Sequence, residues 1–510
     1  MFENIAEPQP PLLQRWFAPD FSGPSHLVAR WIWLRALGGI FFSAFYSLYF
    51  QIHGLIGPNG ILPANTYLEA VRKVLGAKGY WVVPTLLWFN AGDRALDALV
   101  WIGFLASAAI VFNVWPRVSI AVAAVCFLSF VSAAQDFSSY QSDGMLLEAA
   151  LLSIFFAPRG IRPGLAAAQP PSKASLFMLR WEWFRIYFES GLVKILSGEP
   201  QWRNLTAMDK YYENGPLPSW LGWHVQQWPH SFHAASAAAT LIIELFVCWL
   251  VFFPKGSRRI CFFITTPLQI GIILTANYAF LNYLVLFEGF LMLDDDAFAL
   301  RGSRVAHRSA EAIRDPRLAT REISYAAATV LSIIFLTTIA SFMMPGFPTV
   351  RLLEPFRVAN SYGLFAVMTR ARYEIEFQGT ADGQTWIAYP FRYKPQDVRK
   401  PPGLYAPYQP RFEWNLWFAM LGSWSDNRWV VNTEVRLLEN QPDVLRLFAS
   451  NPFEKKPPIA VRAMQWQYWF TSREERRRTG AWWRRELIGQ YAPTVQYERR
   501  GFQLPRPSGV

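Results

Sequence analysis

Residues 180–200 read RWEWFRIYFESGLVKILSGEP and place Glu182, Arg185, Glu189 and Lys194 inside one apolar segment. On a helix, Glu182 and Arg185 lie three apart and Arg185 and Glu189 four apart, so the three share a face and are expected to neutralise one another. Lys194 falls five residues past Glu189, off that face, and needs a partner from another segment. Asp143, Glu148, Glu244 and Glu288, each within another apolar stretch, are the available acids. Ionisable groups in such surroundings face a bundle interior or a cavity. Two chemistries follow. Charged side chains bind helices to one another, or a lysine snorkels to the boundary, in a purely structural arrangement. Alternatively, desolvation favours the neutral amine and turns Lys194 into a general base.

The elements that must position these groups are membrane-spanning helices. The 510 residues are 52% hydrophobic and 17% charged, a balance unusual for a soluble chain of this size. Apolar windows long enough to cross a hydrocarbon layer occur at 28–52, 97–115, 118–136, 143–158, 175–197, 233–253, 259–276, 279–294 and 323–344. The fourth and eighth are short enough to be tilted or re-entrant. Arg117, then Arg159, Arg162 and Lys173, then Lys255, Arg258 and Arg259, and finally the stretch Arg301–Arg321 fall on one side. By the positive-inside rule that side is cytoplasmic and so is the N-terminus, while the loops 54–96 and 198–230 and everything after residue 344 are exterior. The acidic, proline-containing first 25 residues do not read as a cleaved signal. Cys126, Cys248 and Cys261 lie in apolar segments and are expected to be inert packing residues.

Beyond residue 347 the long apolar runs stop. ARYEIEFQG (371–379) and QTWIAYPFRY (384–393) alternate as half-buried strands, with an Asp382-Gly383 turn between them that predicts a hairpin. VRAMQWQYWF (461–470) alternates again, and residues 432–448 have helical spacing broken at Pro442. The expected architecture is a polytopic α-helical bundle of about nine spans over residues 1–344. A β-rich α+β soluble domain, a β-sandwich, follows over 345–510.

The chain lacks a Walker loop, HExxH, paired CxxC and GxSxG. Its histidines are scattered, so no metal ligand is assigned. The formal charge of +12 comes without any nucleic-acid-binding pattern and is explained by orienting loops. Asn204-Leu205-Thr206 is a glycosylation sequon on the expected exterior side.

Four runs together resemble the lipase maturation factor family, in what reads as a bacterial-type homologue: YQSDGMLLEAALLSIFFAPR (140–159), the segment 180–220 beginning RWEWFRIYFESGLVKIL, TANYAFLNYL (275–284) and EIEFQGTADGQTWIAYPFRYKP (374–395). The resemblance implies a polytopic protein that assists folding or assembly of exported proteins, lipases in animals, without a cofactor. It places the chain in the endoplasmic reticulum membrane, or in the inner membrane of a bacterium. GLVKIL is also distantly similar to a Gly-Val-Lys-Lys-Leu stretch of vitamin K-dependent γ-glutamyl carboxylases, but Ile195 stands where the lysine base would be. The preferred reading is a maturation factor whose partners are membrane lipid and exported clients. Trp482, Trp483, Arg484 and Arg485 are the expected client contacts. An integral-membrane enzyme with Lys194 as base is the alternative, and lipid or solute transport is a third reading.

Overall fold

The computed structural model describes residues 12–20, 25–138, 140–298, 325–344 and 348–497. The basic stretch Arg301–Arg321 and the terminal prolines Pro505 and Pro507 lie outside the described residues. All nine apolar windows are helical: α1 (Leu27–Ile56), α2 (Asp93–Val111), α3 (Pro116–Ala133), α4 (Gln141–Phe156), α5 (Lys173–Leu196), α6 (His230–Leu245), α7 (Lys255–Thr275), α8 (Leu281–Gly289) and α9 (Tyr325–Met343). Six of them are long and apolar enough to cross a membrane: α1, α2, α3, α6 with its continuation to Phe252, α7 and α9. The other three fall short for physical reasons. At 16 residues, α4 extends about 24 Å at 1.5 Å per residue, α5 carries the charged cluster, and α8 has only nine residues before a 3₁₀ turn.

The helices alternate in direction, so the connections gather at two ends of the bundle. At one end, Arg30 donates to the Leu165 and Gln169 carbonyls (2.7 and 2.6 Å), and Arg117 to the Ala157 carbonyl (2.7 Å). Arg180 reaches the Leu291 carbonyl there (3.0 Å). At the other end Gln51 meets the Gln409 carbonyl (3.0 Å) and Asn277 the Gly403 carbonyl (2.9 Å), so these contacts bring the C-terminal region against that end.

The C-terminal region is built on β1 (Arg372–Thr380), β2 (Trp386–Ala388), β3 (Ala460–Phe470) and β4 (Trp483–Gln496). They form one antiparallel sheet in the order β2-β1-β3-β4. The expected hairpin is present, with Gln378 opposite Ala388 and Thr380 opposite Trp386. Its turn places Gly383 at φ +79°, and the Gln384 and Thr385 N–H groups donate to Asp382 Oδ1 (2.8 and 2.7 Å). The same turn contacts, Thr385 first, hold the Asp382 carboxyl well below the usual carboxylate range.

The expected sandwich is corrected: among the described residues there is a single sheet, and helices supply the second layer. Both faces of β1 are buried, so the strand needs cover on each side. It receives α10 (Arg411–Ala419) and α11 (Trp429–Leu438), with Phe412, Leu416, Val430 and Leu437 turned inward. Helical spacing ends near Pro442 as anticipated, and a single turn Pro442–Leu445 follows.

Candidate functional site

The polar cluster of α4 and α5 closes around a strap of irregular chain, residues 358–365, that enters the bundle after α9. Glu148, fully buried, pairs with the Arg185 guanidinium. Its second oxygen, Oε2, accepts from the Asn360 backbone N–H (3.0 Å), the Asn360 side-chain amide (3.0 Å) and the Tyr362 hydroxyl (2.8 Å). Arg185 in turn donates to the Asn360 carbonyl (2.7 Å) and lies 5.1 Å from the Tyr362 ring centroid. Glu189 accepts from the Tyr362 N–H (2.6 Å), Ser190 from the Leu364 N–H (3.3 Å) and Gln141 from the Gly363 N–H (3.0 Å). A non-helical strap in an apolar bundle has backbone groups that water cannot reach, and these side chains satisfy them. Gly144 makes room: a Cβ there would stand 2.7 Å from Asn360 Oδ1.

This geometry corrects the expected ladder of Glu182, Arg185 and Glu189. The ion pair of Arg185 is with Glu148 on the neighbouring helix, because the planar guanidinium there reaches a carboxylate and a strap carbonyl together. Among the described residues Glu182 has one hydrogen bond, with the Tyr362 hydroxyl at 3.5 Å. Its other oxygen, and both carboxylate oxygens of Glu288, are buried without a hydrogen-bond partner among the described residues.

Lys194, in the last turn of α5, is 1% exposed and points into the protein rather than out to a surface. Its ammonium donates to both Glu244 oxygens (2.9 and 2.8 Å), to the Leu364 carbonyl (3.0 Å) and to the Ser190 carbonyl (3.3 Å). The close approach of α5 and α6 that permits this depends on Gly191, where a Cβ would meet Glu244 Cβ at 2.7 Å. Lys194 also lines a cavity of about 500 Å³ between α5, α6, α7 and α8.

Asp143 belongs to a separate anchor. Both of its oxygens accept from Arg411 of α10 (2.8 Å each), a bidentate pair buried on both sides. The guanidinium also donates to the Phe137 carbonyl (3.0 Å) and lies 5.0 Å from the Phe130 ring. A third tie comes from the sheet, where Arg372 donates to the Glu213 and Pro216 carbonyls (3.0 Å each) of the loop after α5. Asn360, Tyr362 and Arg411 escaped the sequence reading. Their signals were a polar NSYG run just past the last apolar window and a lone arginine before an aromatic helix, neither of which indicates a distant partner.

The four expected client contacts separate. Strand alternation turns Trp483 inward, 2% exposed, against Phe470 (4.4 Å between centroids). Arg485, on the same face, pairs with Glu376 (3.0 Å) and the Tyr468 hydroxyl (3.1 Å). Of the four, only Arg484 is largely exposed, at 62%, where it pairs with Glu475 (3.8 Å) and lies 5.0 Å from the Trp469 ring centroid. Trp482 packs on Trp223 (5.2 Å) beneath the Arg476 guanidinium (3.5 Å). All three cysteines are buried and unpaired, and among the described residues no group of three or more histidine, cysteine or acidic side chains could hold a metal.

Comparison with known proteins brings the two regions under one heading. A family model described as the lipase maturation factor transmembrane domain matches residues 28–300, more than half of the chain. The chain belongs to the lipase maturation factor family. A second model, the lipase maturation factor C-terminal domain, matches residues 358–493, beginning at the strap. Among the relatives, lipase maturation factor 1 of Bos taurus is 30% identical, covering 96% of this chain and 94% of its own length. Lipase maturation factor 2 of Gallus gallus is 30% identical over 91% of this chain and 81% of its own, and lipase maturation factor 1 of Homo sapiens is 28% identical over 95% and 93%. These relatives of the family are vertebrate rather than bacterial. No solved structure matches.

Proposed function

We propose that this chain is a membrane-embedded maturation factor that assists folding or assembly of exported lipases, acting from the endoplasmic reticulum membrane. The observation that carries the reading is the family match across both regions, in chains of nearly the same extent. The structure supports it with rigid attachment: the strap in its socket and the Asp143–Arg411 pair hold the C-terminal region to one end of the bundle. A surface for partly folded clients is thereby presented at a fixed height above the membrane. In this reading residues 1–344 form the membrane region, with the three marginal helices α4, α5 and α8 also crossing. Residues 345–510 are exterior, the N-terminus is cytoplasmic, and Arg484 is the one expected client contact left on an open surface.

The geometry gives the alternative, Lys194 as a base in a γ-carboxylase-like reaction, nothing to rest on. The Lys194 nitrogen is instead fully engaged, by both Glu244 oxygens and by the Ser190 and Leu364 carbonyls, with none of its hydrogen-bonding capacity turned toward a substrate.

Function is tested by expressing the chain in cells that lack their own lipase maturation factor and measuring both the mass and the specific activity of a secreted lipase. Restored specific activity supports the proposal; full lipase secretion with no gain in specific activity sinks it. Orientation is tested with the exposed Asn204. A glycan lost in Asn204→Gln supports the lumenal placement of the loop after α5, whereas labelling of this loop by a cytosolic probe would reverse it.

A further inference from the structure

The cavity beside Lys194 has walls of two kinds, and their chemistry specifies an occupant. Its flanks are α6 and α7, whose apolar windows are only 22% buried and therefore face the bilayer. Ile264, a wall residue, is 39% exposed on that side, so hydrocarbon reaches the cavity laterally. Pro267, inside α7, also lines it and removes one backbone hydrogen bond from that wall. A volume of about 500 Å³ lies within the roughly 300–1,000 Å³ typical of ligand sites.

The polar part of the wall is neutral. Lys194 and Glu244 are its only charged residues, and they neutralise each other, with the ammonium further occupied by two carbonyls. An anionic headgroup would have to displace Glu244 and leave that carboxylate buried and unpaired. What remains unused are uncharged hydroxyl hydrogens, two of which, on Tyr187 and Ser190, lie beside the ion pair. Asn282 donates to Gln269 Oε1 (2.7 Å), which orients the Gln269 amide to donate to the Tyr187 hydroxyl oxygen (2.7 Å). Tyr187 is thus an acceptor within the chain, and its own hydrogen has no acceptor among the described residues. Ser190 is in the same position, its oxygen taken by the Leu364 N–H (3.3 Å). Both residues are at least 96% buried, where an unmade hydrogen bond is costly.

We propose that this cavity binds a neutral glycerolipid. Its ester or hydroxyl oxygens accept from Tyr187 and Ser190, and one acyl chain lies along the apolar wall of α6 and α7. Two uncharged donors beside a self-neutralised ion pair match an acylglycerol, and they match neither a fatty-acid anion nor a phosphocholine headgroup.

The test uses the full chain purified in maltoside detergent and native mass spectrometry with three probes: 1-monooleoylglycerol, oleate and a phosphatidylcholine. Monooleoylglycerol is expected to be retained in preference to the other two. Removing both hydroxyls with Tyr187→Phe and Ser190→Ala is expected to weaken its binding about thirtyfold, from two hydrogen bonds of ordinary strength. A separate Leu268→Trp variant, which fills the cavity, is expected to abolish retention while keeping the thermal unfolding midpoint of the wild type. The proposal is overturned if monooleoylglycerol is not retained, if oleate or phosphatidylcholine binds as tightly, or if a folded double hydroxyl variant binds like the wild type.

Discussion

Two of the buried charge clusters, one in the bundle and one in the sheet, differ in how many partners each carboxylate has. In the bundle, Glu148 and Arg185 grip a strap that arrives from more than 170 residues away in the chain. In the sheet, Arg372, Glu374 and Lys394 form a compact network (Lys394 to Glu374, 2.8 Å) that also binds the loop after α5. Each cluster satisfies irregular backbone, yet Glu374 has two cationic partners and Glu148 has one. Both clusters are buried, so redundancy of partners makes the second the more forgiving.

The largest expected effect therefore comes from Arg185→Met. It strands the Glu148 carboxylate and frees the Asn360 carbonyl, at a cost of about 3–5 kcal/mol, read as loss of folded protein in detergent thermal unfolding. Adding Glu148→Gln to that variant is expected to recover part of the loss; a double variant worse than the single would refute the account of the pair. Arg372→Met is expected to cost less, about 2–3 kcal/mol, because Lys394 still neutralises Glu374. Equal losses at the two sites would remove the distinction between the clusters. Gly144→Ala sharpens the strap side of the contrast: its Cβ would press on the Asn360 amide, with a loss of about 1–3 kcal/mol, detectable as faster proteolysis between α9 and β1.

The smallest effect is a pH dependence in the sheet region. Burial pushes the Glu434 carboxyl well above its ordinary value, against a smaller lowering from the Ala463 backbone. A carboxyl raised in the folded state is tolerated when protonated, so its penalty is absent below the unfolded value near 4.5 and grows as pH rises above it. Glu434→Gln is expected to raise the unfolding midpoint at pH 7 and to leave it nearly unchanged at pH 4. The opposite trend would show that this carboxylate is stabilising.

Much of this arrangement is legible without coordinates. Each apolar window is a helix, since a run of 16 or more apolar residues has few alternatives in length or pattern. The Asp382-Gly383 hairpin and the break at Pro442 follow equally from local chemistry. The role of α10 and α11 was less visible, because helical spacing does not say whether a helix or a second sheet covers β1. At the site, spacing along α5 placed Arg185 beside Glu182 and Glu189, and the true partner lay on α4. In the same way, alternation along β4 identifies two faces, but only packing decides that Trp483 lies on the buried one.

The sequence by itself determined a helical membrane region, a sheet-containing C-terminal region, the family, and the presence of charges that had to be neutralised inside apolar helices. Local periodicity and the cost of burying charge are properties of neighbouring residues, and they suffice for that much. Tertiary structure alone decided which charges meet: Arg185 with Glu148, Arg411 with Asp143, Lys194 with Glu244. Those pairings depend on how helices and strap approach in three dimensions, and a single sequence carries no distance between positions so far apart.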